Sequence, residues 1–176
     1  VRLGDKVVGT GSGVLVSSLD EAPIDVRQVE FGVGYDFHGF EDRSFRGALE
    51  LAADQRGQLA VVNLVSLEDL LKGLVPSEIF AKAHPEALKA QAVTASGEVL
   101  AKVGLKHQAD PYLLCSEQHC AVYKGVSGEA ATTSAAVDAT RGEALFDATG
   151  RLVDSVYSAV CGGHTEDNDV VWGGSP

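Results

Sequence analysis

The chain has 176 residues, of which 45% are hydrophobic and 22% charged, and its formal net charge is −11 at pH 7. The length suits a single domain, and the composition is that of a globular protein with an apolar core. The negative net charge argues against a nucleic-acid partner, because binding to a phosphate backbone requires a basic surface. No apolar run reaches the roughly 18 residues expected of a transmembrane helix.

The sequence begins at Val1 and contains no methionine, which indicates a processed or truncated piece of a longer protein. We therefore expect membrane contact only through an N-terminal anchor that this sequence lacks. The end of the chain, at residues 173–176, is likewise expected to be a cut inside a loop.

Residues 1–44 are predicted to form a β-rich extension of the same domain, because apolar and polar residues alternate there between turn-forming residues. The glycine-rich run at 9–13 lacks the Lys-Ser/Thr sequence of a phosphate-binding loop, so we interpret it as a hairpin. Residues 32–42 are predicted to be a loop whose aromatic side chains pack over the edge of the core.

Two strands are predicted next, at residues 45–51 and 59–65, with a turn at 54–57 that joins them as a hairpin. The second strand is apolar enough to be the central strand of its sheet. It leads directly into a helical segment.

Glu78 is predicted to lie in a short loop between two helices. Ser66 is a favourable N-cap for the first helix, which is expected to stop at Gly73 and Pro76, since proline cannot continue a helix. Pro85 is typical of the first turn of the second helix, which is predicted to run from residue 86 to about residue 103.

The rest of the chain is predicted to contain a loop, a helix and two strands. The loop spans residues 105–120, and the helix spans 129–139. Strands are predicted at 144–146 and 152–160, around a turn that contains Thr149 and Gly150.

The predicted loop carries a compact set of soft metal ligands, Cys115, His119 and Cys120, with His107 upstream as a fourth. Two thiolates and two imidazoles would close a tetrahedral zinc site, which would be structural because no coordination position stays open. A Cys115–Cys120 disulfide would be natural in an oxidising compartment and would leave Cys161 free. A reduced, metal-free pair is the third interpretation, and the residues alone do not choose among the three.

Several ordered motifs resemble those of the SpoIID/LytB domain family, named for stage II sporulation protein D. They are EDLLKGLVPSE at 68–78, EALKAQAV at 86–93, the cysteine–histidine cluster at 115–120, VYKG at 122–125, AVDATRG at 136–142 and CGGHTE at 161–166. The resemblance covers roughly residues 45–172. It predicts that residues 45–176 form a SpoIID/LytB-like domain truncated at both ends, and some members of that family carry a metal site like the one above.

The resemblance implies peptidoglycan lytic transglycosylase activity, with Glu78 as the catalytic acid/base. One carboxyl group can serve such an enzyme, because the C6 hydroxyl of N-acetylmuramic acid (MurNAc) is the internal nucleophile. Glu78 must then be protonated before the reaction, which requires an apolar pocket. Val75, Ile79 and Phe80 are the expected walls. Without the resemblance, a helix cap or a solvated loop acid would be the favoured explanation of Glu78.

The other expected site residues would contact the glycan. They are Ser77, Lys89, Gln91, Tyr123, Tyr157, Ser158, Gly162, Gly163, His164 and Thr165. The chain departs from the family at Ser96, where the family usually has arginine, and at Ala121, where glutamine is common. Both departures bear on activity more than on fold.

The complete prediction is a single α+β domain with an antiparallel or mixed sheet packed by helices and a glycan groove at residues 66–91. The expected activity is cleavage of the bond between MurNAc and N-acetylglucosamine (GlcNAc) in peptide-stripped strands, leaving 1,6-anhydroMurNAc ends. The chemistry requires no cofactor, and zinc would be structural. The expected partners are glycan strands and a cell-wall amidase, and the expected location is extracytoplasmic: cell wall, periplasm or secreted.

Two other functions remain open at this point. One is a non-catalytic module that binds peptidoglycan and modulates an amidase. The other is a zinc-dependent hydrolase that uses the cysteine–histidine cluster.

Overall fold

A computed structural model describes residues 2–3, 6–7, 13–18, 20–167, 170–171 and 173. The strands are β1 (Arg2–Leu3), β2 (Lys6–Val7), β3 (Gly13–Ser17), β4 (Ile24–Phe31), β5 (Gly39–Phe45), β6 (Ala48–Ala53) and β7 (Leu59–Leu64). The helices are α1 (Leu67–Glu78), α2 (Pro85–Lys102) and α3 (Ala131–Ala139), with a 3₁₀ turn at Gly125–Gly128. The predicted α+β class is confirmed. The predicted hairpin at 9–13 lies, except for Gly13, outside the described residues.

All strand pairs in the described part of the chain are antiparallel. One sheet has the order β3-β6-β7, and β4–β5 and β1–β2 form separate pairs. The hairpin of β6 and β7 is as predicted, but the prediction that the second strand is central is wrong. The central strand is β6, and β7 lies at the edge with Leu59 and Val61 exposed at 71% and 47%. Its apolar composition therefore does not reflect burial on both faces.

The strand predicted at residues 45–51 corresponds to β6 and begins later, at Ala48. The loop predicted at residues 32–42 is shorter than expected, because a further strand, β5, already starts at Gly39 and includes a run of charged residues. The reason is tertiary: Arg43 is only 5% exposed, and its guanidinium donates a hydrogen bond to the Tyr123 carbonyl oxygen at 3.2 Å. Phe45, the last residue of β5, packs in the core beside Tyr123.

Helix α1 begins as predicted but does not stop at Gly73 or Pro76. The Ser66 side chain accepts a hydrogen bond from the Asp69 amide at 3.2 Å, which caps the first turn. Pro76 lies inside the helix, which continues to Glu78. The burial of the last turn against α2 outweighs the helix-breaking tendency of proline, because Val75 is 0% exposed.

Gly73 is needed for packing rather than for termination. A Cβ atom at this position would lie 2.7 Å from the Gly125 carbonyl oxygen and 2.7 Å from the Tyr123 ring. Only glycine lets the backbone that follows Tyr123 cross α1 this closely.

Helix α2 starts at Pro85, as predicted, and the irregular segment at residues 153–157 crosses it at Gly97. A Cβ atom on Gly97 would lie 2.8 Å from the Ser155 hydroxyl and 3.0 Å from the Val153 carbonyl oxygen. The strands predicted at 144–146 and 152–160 are therefore wrong in extent: a single bridge, Phe146 to Leu152, forms between them. The segment packs on a helix instead of pairing with a strand.

Two apolar clusters form the core. The helical cluster joins α1, α2 and α3 through Leu71, Leu74, Val75, Ala92, Ala95, Val99 and Val137. The other cluster joins the strands to the Tyr123 segment through Phe45, Leu49 and Tyr123. Leu70 packs against both clusters. No helix in the described ranges is both long and apolar enough to span a membrane.

The close crossing at Gly73 predicts that Gly73→Ala lowers the free energy of unfolding by about 1–3 kcal/mol, because the new methyl group meets backbone that must move. Helix propensity alone would give the opposite sign, a gain of about 1 kcal/mol. Urea denaturation measures the change, and Ala90→Gly at an exposed position of α2 calibrates the propensity difference. Stabilisation by Gly73→Ala would contradict the packing described here.

Candidate active site and cysteine–histidine cluster

Glu78 is the last residue of α1, and its side chain is half-buried rather than free in a loop. Burial raises the pKa of its carboxyl group, and the negative charge of Glu98 raises it further. The Tyr157 hydroxyl and the positive charge of Lys102 act in the opposite direction and lower the pKa. The net shift is upward, the direction that a general acid at neutral pH requires.

Sequence analysis missed two members of this group, Glu98 and Lys102. Lys102 donates to the Glu98 carboxylate at 2.5 Å, and the two side chains are only 19% and 15% exposed. Their spacing of four residues on α2 is the usual spacing of a helical ion pair and could have pointed to the pair. Their proximity to Glu78 could not have been inferred from the sequence, since it depends on how α1 packs on α2.

Tyr157 reaches the site from the segment that crosses α2 at Gly97. Its hydroxyl oxygen is buried and has no hydrogen-bond partner among the residues that the structure describes. Burial raises the pKa of this hydroxyl, and the nearby carboxyl groups of Glu78 and Glu98 raise it further. Tyr157 therefore remains a neutral donor throughout the pH range in which a glutamate titrates.

The predicted walls of the Glu78 pocket are only partly correct. Val75 belongs to the helical core cluster and Ile79 packs against it, but Phe80 is 72% exposed and encloses nothing. The surroundings that shift the Glu78 pKa come instead from α2 and the Tyr157 segment.

An open cavity lies on the neighbouring surface of the last turn of α1. Its volume is about 450 Å³, and it is lined by Pro76, Ser77, Val122, Lys124, Ser127 and Gly128. Ser77, the residue before Glu78, is thus exposed toward a concave surface. Lys124 adds a positive charge to this wall.

The remaining residues expected to bind glycan lie in different environments. Lys89 forms an ion pair with Glu86 at 2.8 Å on the surface of α2, and the side-chain nitrogen of Gln91 is buried without a hydrogen-bond partner. An exposed stretch holds five others: Ser158, Gly162, Gly163, His164 and Thr165. In this stretch, His164 Nε2 lies 3.6 Å from the Glu166 carboxylate.

The expectation that Tyr123 contacts the glycan is corrected. Tyr123 is 7% exposed in the core, and its hydroxyl donates to Asn63 Oδ1 at 2.8 Å. Its ring packs against Phe45 with the centroids 6.0 Å apart. These contacts give Tyr123 a structural role.

The four proposed metal ligands do come together. The ligand atoms of His107, Cys115, His119 and Cys120 all lie within 4.8 Å of one another. Individual separations are 3.3 Å from Cys120 Sγ to His107 Nε2, 3.6 Å from Cys120 Sγ to His119 Nδ1 and 3.7 Å from Cys115 Sγ to His119 Nδ1. Tetrahedral zinc with ordinary bond lengths requires edges of roughly 3.3–3.8 Å. These three separations fall in that range, and the 4.8 Å limit on the whole set exceeds it by about 1 Å, so the ligands would draw slightly closer around an ion. All three cysteines are free thiols in this structure.

The surroundings of this cluster also suit a metal. His107 Nδ1 lies 2.9 Å from Asp110 Oδ2, an arrangement that orients the ring and leaves Nε2 for a ligand. The positive charge of Lys106 lowers the pKa of His119, which favours the neutral imidazole that binds metals. Two lysines hold the cluster backbone: Lys106 donates to the His119 carbonyl oxygen at 2.6 Å and Lys102 to that of Cys120 at 2.8 Å.

Comparison with known proteins identifies the family. The family model SpoIID, stage II sporulation protein, matches residues 55–146, and the chain belongs to this family. An uncharacterized protein of Brachyspira hyodysenteriae is 31% identical over 141 residues, which are 80% of this chain and 37% of that protein. The amidase enhancer of Bacillus subtilis is 35% identical over 105 residues, 60% of this chain and 14% of that protein.

The chain thus spans less than two fifths of the length of either curated relative. No solved structure matches it.

The position of Tyr123 predicts that Tyr123→Phe lowers the free energy of unfolding by about 1–2 kcal/mol, since a buried hydrogen bond to Asn63 is lost. Tyr35→Phe is the matched control, because Tyr35 is 53% exposed. Thermal or urea unfolding measures both variants. Unchanged stability together with weakened glycan binding would restore Tyr123 as a ligand-binding residue.

Proposed function

We propose that this chain acts on the bacterial cell wall as a peptidoglycan lytic transglycosylase, with Glu78 as its general acid/base. Membership of the SpoIID family supports the cell-wall role. The observation that carries the catalytic assignment is the half-buried Glu78 carboxyl group, whose pKa is raised by burial and by the negative charge of Glu98. An open cavity is lined by the two residues that precede Glu78, Pro76 and Ser77. Such a substrate places the active domain outside the cytoplasm.

The proposed reaction needs no water and no second catalytic carboxylate. Protonated Glu78 gives its proton to the glycosidic oxygen as the bond to C1 of MurNAc breaks and positive charge develops at that carbon. The resulting carboxylate then takes the proton from the C6 hydroxyl, whose oxygen bonds to C1 and closes the 1,6-anhydro ring. Glu98 does not suit the role of a nucleophile, because its carboxylate is 15% exposed and paired with Lys102.

We also propose that the cysteine–histidine cluster holds a structural zinc ion through His107, Cys115, His119 and Cys120. The support is that three of the ligand separations match the edges of a tetrahedral zinc site, and that the Asp110 contact orients His107. With four protein ligands, no position would remain for water or substrate. This argues against a zinc-dependent hydrolase and for a role in fixing the loop at residues 105–120.

The name of the Bacillus subtilis relative supports a second candidate function. That protein is an amidase enhancer, and a non-catalytic module that binds glycan strands and modulates a cell-wall amidase would use the same surface. This candidate predicts binding without cleavage.

The first experiment compares the wild type with Glu78→Gln on peptide-free glycan strands, with products identified by mass spectrometry. We expect 1,6-anhydroMurNAc ends from the wild type and a rate at least about a hundredfold lower from Glu78→Gln, since the amide has no proton to transfer. The wild-type rate should fall as the pH rises through the Glu78 pKa, because only the protonated form is active. Reducing-end products would indicate hydrolysis. Intact binding with no product would favour the amidase-modulating module.

The second experiment tests the metal. The reduced chain should bind one zinc ion and unfold at a higher temperature with zinc, while Cys115→Ser should lose both effects. Cys161→Ser is the matched control, since Cys161 is exposed and outside the cluster. A thiol count of one in the untreated protein, with no zinc uptake, would show the Cys115–Cys120 disulfide instead.

A further inference from the structure

Around Glu78, the structure brings together three side chains from two separate parts of the chain. Glu98 and Lys102 come from α2, and Tyr157 comes from the irregular segment near the end. Among the described residues, these are the charged and titratable groups that act on the Glu78 carboxyl group.

The backbone is built so that Tyr157 can reach this position. The segment at 153–157 approaches α2 so closely that a Cβ atom on Gly97 would collide with the Ser155 hydroxyl. Ser155 is 8% exposed and Ser96 is 6% exposed, so the crossing is buried on both sides. Glu98, the next residue on α2, is therefore brought beside the segment that carries Tyr157.

The Tyr157 hydroxyl is buried, and no group of the described residues meets the full distance and angle requirements of a hydrogen bond to it. The carboxyl groups of Glu78 and Glu98 lie close enough to influence it as hydrogen-bond acceptors. Burying a hydroxyl without a well-formed hydrogen bond lowers the stability of the fold, so a hydroxyl at this position indicates a functional role. Such a hydroxyl can donate a hydrogen bond to Glu78 when Glu78 is a carboxylate and can turn to Glu98 when Glu78 is protonated.

We propose that Tyr157 and the Glu98–Lys102 ion pair are positioning residues that act together on Glu78, held in place by the close crossing of the Tyr157 segment over α2 at Gly97. The negative charge of Glu98 then favours the protonated form of Glu78, and the Tyr157 hydroxyl supports its carboxylate form. This inference rests on the proposed function, because it assumes that Glu78 is the acid. It assigns no contact with substrate to these three residues. The catalytic proton remains that of Glu78.

These two effects on the Glu78 pKa have opposite signs. The network formed by Tyr157, Glu98 and Lys102 therefore has a distinctive signature in a titration. Removing the Glu98 charge takes away an influence that raises the Glu78 pKa, so Glu98→Gln should lower it. Removing the Tyr157 hydroxyl takes away an influence that lowers the pKa, so Tyr157→Phe should raise it. A purely structural role would loosen the site and would have no reason to shift the pKa in opposite directions.

The test is a ¹³C NMR titration of the full chain labelled at the glutamate side-chain carboxyl groups, with Glu78→Gln used to assign the Glu78 resonance. We expect the Glu78 midpoint to move down in Glu98→Gln and up in Tyr157→Phe, relative to the wild type. Asp138→Asn is the control, because it removes a carboxylate of α3 that is paired with Lys72 at 2.9 Å and is not among the groups that shift the Glu78 pKa. Melting temperatures show which variants are folded. If only one variant folds, the absence of a shift in its expected direction overturns the proposal for that residue.

The glycan-cleavage rate provides the second readout. Above its pKa the protonated fraction of Glu78 falls about tenfold per pH unit, so the basic limb of the rate profile should move to lower pH in Glu98→Gln and to higher pH in Tyr157→Phe. Unmoved midpoints, or shifts of the same sign, would overturn the network while leaving the Glu78 assignment intact. The NMR midpoints test the network even if the wild type cleaves no glycan. A failure of the network proposal can therefore be distinguished from a failure of the proposed function.

Discussion

The complete burial of the last turn of α1 is the constraint on which the candidate site depends. Leu74 and Val75 are both 0% exposed against α2 and α3, and burying such side chains contributes about 1.5–3 kcal/mol each. This packing carries the helix past Pro76 and fixes the direction in which Glu78 projects. The carboxyl group is thereby held at the boundary between the core and the surface, where burial raises its pKa and solvent can still reach it.

One lysine connects this site with the cysteine–histidine cluster. Lys102 pairs with Glu98 and also donates to the Cys120 carbonyl oxygen, so the loop at 105–120 is attached directly to the surroundings of Glu78. A metal that ordered this loop would stabilise the position of Lys102, and through it that of Glu98. The proposed metal cluster could therefore support the proposed chemistry without taking part in it.

The sequence was most informative where the chemistry is local. The Ser66 cap, the Pro85 helix start and the close spacing of Cys115, His119 and Cys120 could be predicted because neighbours along the chain create them. Predictions failed where packing between distant segments decides: Pro76 stays helical, Tyr123 is buried, and the segment ending near Val160 packs on Gly97 instead of forming a strand. The Glu98 contribution belongs to the same class, since it exists only once α1 and the Tyr157 segment meet α2.

The central claim is that Glu78 meets the glycosidic bond, and a crystal structure of the Glu78→Gln variant with a bound GlcNAc–MurNAc oligosaccharide tests it most directly. Our account predicts that the oxygen between MurNAc C1 and the following GlcNAc lies within about 3 Å of the side chain at position 78. It also predicts that the strand extends across the cavity beside Ser77 and Lys124. An oligosaccharide bound with every glycosidic oxygen far from position 78 would contradict the account.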